Sequence, residues 1–96
     1  MQQDFYEYET VAASVTDQVL GETTAKGGRL HRLLCNVTTS ATSNVILSDG
    51  SDTITIMPNA RALGTYLIEL NIATAKGPFK ITTSAGVSVL AIGKWY

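Results

Sequence analysis

His31 and Cys35 are the only histidine and the only cysteine of the chain, four positions apart. A thiol activated by an imidazole needs the two groups within hydrogen-bond reach. An amphipathic helix over Arg29–Cys35 would bring them together. The glycines ahead of the segment and Val37-Thr38-Thr39 behind it favour a strand instead. Four residues of strand span about 13 Å, too far for a nucleophile and its base. The better reading is a small core thiol beside a part-buried imidazole. Two such ligands without supporting carboxylates are also too few for a structural zinc site.

Three other motifs reduce in the same way. Asp49-Gly50-Ser51-Asp52 has the look of a calcium loop but lacks the further oxygen ligands and the distal glutamate, and it reads as a turn. Asn36-Val37-Thr38 matches a glycosylation acceptor, but Met1–Glu9 has neither the basic start nor the apolar core of a signal peptide. Lys26-Gly27-Gly28-Arg29 has neither the spacing nor the following helix of a phosphate-binding loop. Its glycines are expected to give the backbone access to positive φ. The expectation is a chain with no catalytic residue, no cofactor and no metal.

The elements that carry these residues are short and extended. Strands are expected over Thr10–Val15, Arg29–Thr38, Asn44–Ser48, Asp52–Met57 and Thr65–Ile72, with a short extended piece after the Asp17–Gly21 turn. In the third segment, His31, Leu33, Cys35 and Val37 form the more continuous face and are expected inward. Asp49-Gly50 between two β-rich runs is a hairpin signal. Gly77–Tyr96 reads as a closing hairpin turned at Ser84-Ala85-Gly86, and Leu90 and Ile92 make the second half of its last strand apolar on both sides. Such a strand belongs in a sheet interior or against another subunit. The sum is an all-β domain: a jelly-roll-like sandwich or barrel of about seven to eight antiparallel strands.

Composition agrees. The 96 residues make one domain, and 45% hydrophobic content excludes disorder. No apolar run reaches the roughly 18 residues of a helical membrane span. A lone cysteine forms no internal disulfide, which points to a reducing cytoplasm as the site of synthesis. A net charge of -1 gives no reason to expect nucleic acid as a partner. The thin stability margin of a sheet protein this small would be widened by subunit contacts.

The charge is unevenly spread. Asp4, Glu7 and Glu9 lie in a segment with no basic residue, mixed with Phe5, Tyr6 and Tyr8. Residues 1–9 are therefore read as an N-terminal arm ahead of a β domain at 10–96. The arm's six residues Asp4, Phe5, Tyr6, Glu7, Tyr8 and Glu9 are the candidate partner-binding residues.

Val15-Thr16-Asp17-Gln18-Val19-Leu20-Gly21, Ala25-Lys26-Gly27-Gly28-Arg29-Leu30, Val45-Ile46-Leu47-Ser48-Asp49-Gly50 and the ending from Phe79 to Gly93 resemble small virion structural proteins of tailed bacteriophages. The likeness runs from Val15 to Trp95 and consists of strand and turn patterns, so no functional residue is carried over. It implies a capsid decoration (cement) protein. Such a protein has a jelly-roll-like fold, is commonly trimeric, and binds the major capsid protein at the virion surface, without nucleic acid, membrane or small-molecule substrate. Other virion positions (neck, tail or head-fibre) fit the same pattern. A sugar-binding β-sandwich in host recognition is the alternative from another class. It is weakened by a single tryptophan, Trp95, and by the placing of two of the four tyrosines, Tyr6 and Tyr8, in the arm.

Overall fold

A computed structural model of the chain describes residues 7–21, 26–49, 52–57 and 62–95. It is all-β: β1 Glu7–Val11, β2 Gln18–Val19, β3 Gly28–Val37, β4 Val45–Ser48, β5 Thr53–Met57, β6 Gly64–Thr74, β7 Lys80–Thr83 and β8 Val87–Trp95. A single turn of 3-10 helix spans Ser40–Thr42. The strands form two four-stranded sheets, one ordered β1-β8-β3-β6 and the other β2-β7-β4-β5. Every pairing is antiparallel.

Alternation along the strands builds one core between the sheets. Leu33, Cys35, Val37, Val87, Val89 and Ala91 enter it from the first sheet, and Val45, Leu47, Ile81 and Met57 from the second. Tyr66, Ile68, Leu70 and Ile72 of β6, half-buried, pack against it at one side. A fully buried Leu or Ile contributes about 1.5–3 kcal/mol, so this alternating set supplies most of the driving force.

Several expectations are revised. β1 starts at Glu7 and ends at Val11, so Glu7, Tyr8 and Glu9 belong to the sheet, and the chain from Ala12 to Val15 bends between sheets instead of extending. The expected closing hairpin is not one. β7 pairs with β2 and β4, whereas β8 pairs with β1 and β3. Ser84–Gly86 is a corner between sheets, tied by Gly86 N–H to Thr42 O (2.8 Å) and by Ser84 N–H to Asn44 O (3.1 Å). A Cβ on Gly86 would lie 2.2 Å from the Thr39 carbonyl oxygen, so only glycine fits this corner. The hairpin at Asp49–Asp52 does join β4 to β5: Asp52 N–H donates to Asp49 Oδ1 at 2.8 Å and Asp49 N–H to Asp52 O at 3.1 Å.

The inward face of β3 also differs from simple alternation. Leu30 pairs with Gly93 and Arg32 with Ile92, which leaves His31 as an extra residue relative to β8. This bulge shifts the parity, so Leu30 before it and Leu33 after it are both fully buried. His31, expected inward, is only half-buried. On β6 the same irregularity leaves Leu70 and Asn71 opposite it, and Asn71 takes a φ of 51°, which asparagine tolerates.

Candidate interaction surface

The outward side of the first sheet can be read from its register. One row runs Thr10–Leu90–Leu34–Leu67 across β1, β8, β3 and β6. The next runs Tyr8–Ile92–Arg32–Glu69. Leu34, Leu90 and Ile92 are half-buried by their strand neighbours but are not among the side chains packed on the core. Leu67 is 54% exposed and Tyr8 73%. The result is a contiguous apolar strip over the middle of the sheet, the pattern that marks an interaction surface.

One end of the strip is cationic. Arg29 pairs across strands with Lys94, and both are exposed. Like charges set opposite one another on a sheet face are unfavourable. Arg32 Nη2 bonds His31 Nε2 at 2.7 Å, while Arg32 Nε is buried with no partner among the described residues. Among those residues the ion pair found is elsewhere, Lys76 to Asp52 at 3.1 Å, both ends exposed.

The six expected partner-binding residues divide. Asp4, Phe5 and Tyr6 lie outside the described residues. Glu7 and Glu9 are turned to work inside the fold. Glu9 Oε2 accepts from Gln18 Nε2 (3.0 Å) and Oε1 from Gly21 N–H (3.0 Å), joining β1 to the segment of the second sheet beneath it. Glu7 Oε1 accepts Trp95 N–H at 3.0 Å. Tyr8, between them, points outward beside Ile92. The pattern was readable in part: Tyr8 and the two glutamates alternate, so a strand must put them on opposite sides.

The residues with chemical potential are kept apart. Cys35 is fully buried on the inward side of β3, and desolvation pushes its thiol up to about 11. A buried neutral thiol is a poor nucleophile. His31 bonds Asn71 Oδ1 through Nδ1 and Arg32 through Nε2, not Cys35. With the guanidinium donating to Nε2, the proton sits on Nδ1 and is given to Asn71. No group of three His, Cys, Asp or Glu among the described residues could hold a metal ion. Gly27 and Gly28 are buried, and a Cβ on Gly27 would lie 2.2 Å from Thr74 O, so this glycine serves close backbone packing instead of the positive φ expected of it.

A concavity of about 200 Å³ opens between β4, β5 and β6, lined by Leu47, Ile54, Ile72 and Phe79 with Asp49 and Asp52. Both carboxylates are already occupied. Asp49 holds the hairpin turn and accepts the Thr74 hydroxyl (3.1 Å), and Asp52 holds Lys76. Trp95 is half-buried and packed on the core, so it presents no free platform for a sugar ring. Tyr96 lies outside the described residues.

No protein-family model, no curated protein and no solved structure matches this chain.

Proposed function

We propose that this is a non-enzymatic virion structural protein, a capsid decoration (cement) protein that acts as a homo-oligomer on the major capsid protein at the surface of a bacteriophage head. The observation that carries the reading is the outward side of the first sheet, where an apolar strip with a cationic end is displayed on a rigid ladder and no layer of the described chain covers it. A protein whose work is adhesion needs such a face and no reactive group. The buried Cys35 and the separately engaged His31 favour adhesion over catalysis.

The strand order supports a jelly-roll form. Apart from β4 to β5, every connection between consecutive strands passes from one sheet to the other, as in the double-sheet jelly rolls that recur in viral capsid proteins. That likeness of architecture is an analogy and does not assign a function. The resemblance of the strand and turn segments to phage virion proteins points the same way. Homotrimers on a symmetric lattice would bind through linked weak contacts and stabilise the shell by preferring its assembled form.

The test is add-back. Purified protein is mixed with heads stripped of small proteins, and bound copies and the temperature of head disruption are measured. Shell-wide occupancy with a raised disruption temperature is the expected result. No binding, or saturation at the copy number of a neck or tail ring, rejects the cement role.

A further inference from the structure

We propose that β6 is a self-association edge, on which Thr65–Glu69 of one copy pairs antiparallel with the same stretch of a second copy about a two-fold axis at Leu67. The inference goes beyond the cement reading and does not depend on it. A two-fold contact is separate from any contact within a trimer.

A sheet edge carries a row of unpaired backbone N–H and C=O groups. Natural edges are kept short, charged, bulged or proline-bearing so that another chain does not add to them. Among the described strands the edges are β1, β2, β5 and β6. β1 and β5 have five residues each and β2 has two, but β6 has eleven. It contains no lysine, arginine or proline, and Glu69 is its only charge. Asn71, with its φ of 51°, and the Thr74 hydroxyl bonded to Asp49 at 3.1 Å modify one end of it. Ahead of them, Gly64–Glu69 keeps an unbroken register with β3 and has no described strand on its other side. Exposed apolar surface gathers at the same edge. The large exposed hydrophobics among the described residues are Tyr8, Ile54, Leu63 and Leu67. Leu67 is on β6, Leu63 immediately precedes it, and Ile54 shares a concavity with Ile72 of β6.

The occupant is a second copy because the strand is complementary to itself in one register. Opposed residues of paired strands share a side of the sheet, so a two-fold axis must pass through a residue that faces its own copy. With the axis at Leu67, Leu67 meets Leu67 and Glu69 meets Thr65 on the outward side, while Tyr66 meets Ile68 on the inner side. The row Leu90–Leu34–Leu67 then runs on into its own image as unbroken apolar surface. Tyr66 against Ile68 is an aromatic–β-branched pair, a favourable cross-strand type, and Glu69 faces a hydroxyl. Other centres are worse. An axis at Glu69 sets two carboxylates face to face, and one at Ile68 or Leu70 draws the irregular Asn71 into the ladder. Main-chain hydrogen bonds supply the affinity of such strand addition, and the facing side chains supply its register.

The experiment is sedimentation of the full chain over a range of concentrations, beside Leu67→Lys, Leu67→Glu and an equimolar mixture of the two. Leu67 is exposed, so circular dichroism should show both variants folded. The full chain is expected to dimerise. Each variant alone opposes like charges at the axis and should weaken dimerisation at least tenfold. The mixture opposes a lysine to a glutamate and should recover most of the loss. Leu67→Cys should give a disulfide-linked dimer under mild oxidation, and Ala73→Cys, outside the paired stretch, should not. The buried Cys35 does not compete in either.

A full chain that stays monomeric at every concentration overturns the proposal. So does association that both charged variants leave unchanged, or a mixture no tighter than its components. The add-back experiment reads a separate quantity. Dimerisation of the expected kind without binding to heads would support this inference while rejecting the cement role, and binding to heads by a monomeric chain would do the reverse.

Discussion

The two sheets share one core but present opposite outer sides. Outward from the first sheet stand Leu34, Leu67, Leu90 and Ile92, with Arg29 and Lys94 at one end and Arg32 beside Glu69 between. Outward from the second stand Ser48, Thr53, Thr55, Lys80 and Thr82, with two apolar residues among them, Ile46 at the centre and Val19 on the edge strand. Threonine gives a strand its β-branched stiffness while its hydroxyl remains content in water or in local bonds. Thr82 Oγ1, for instance, accepts Asp17 N–H at 2.9 Å. The second sheet shows how this chain builds a side that faces solvent. Leucines in the equivalent rows of the first sheet are not needed for strand formation, and the proposed function assigns them to contact with a partner.

The comparison can be broken most directly by placing a charge on each side. Leu34→Asp should weaken binding to stripped heads more than a hundredfold, about 3 kcal/mol, since it removes apolar contact and buries a carboxylate. Ile46→Asp on the other sheet should leave that binding unchanged, and sedimentation of both variants with heads decides the matter. Equal effects would erase the distinction between the two sides.

The inward side of the first sheet sharpens the contrast through Cys35. With its thiol raised from 9.0 to about 11, alkylation near pH 8 should run about a hundredfold slower than in the unfolded chain, from the thiolate fraction alone. The sign for stability follows. The raised value favours the fold fully below pH 9, and that contribution is lost as pH climbs from 9 through 11. A Cys35→Ser variant compared with the parent in urea unfolding across this range isolates the thiol's contribution.

A smaller effect is expected at Glu9, which ties the sheets together without belonging to either outer side. Glu9→Ala should lower unfolding free energy by about 1.5 kcal/mol, from charge-assisted bonds to Gln18 and Gly21. Association per folded molecule should stay the same. At the exposed pair of Lys76 and Asp52, Lys76→Ala should leave the melting temperature unchanged within error.

Much of the architecture was legible in local pattern. Asp49-Gly50 announced the β4–β5 hairpin, alternation in Thr65–Ile72 announced β6, and Leu90 with Ile92 announced a strand apolar on both sides. The division of labour within the N-terminal candidates was less accessible. Tyr8 remained on the outer side, but Glu7 and Glu9 were claimed by backbone amides far along the chain, and no local signal identifies a distant donor.

The sequence by itself determined most of the extended segments from β3 onward, the turn between β4 and β5, and that its lone thiol and imidazole would not meet. These follow from side-chain periodicity and turn chemistry, which act over a few residues. The tertiary structure decided which strands are neighbours. β7 and β8 adjoin in sequence yet belong to different sheets, because Ser84–Gly86 finds its hydrogen bonds at Asn44 and Thr42. It also decided that one inserted residue, His31, turns both Leu30 and Leu33 to the core. Pairing and register depend on contacts between distant segments, and those exist only once the two sheets have closed on their common core.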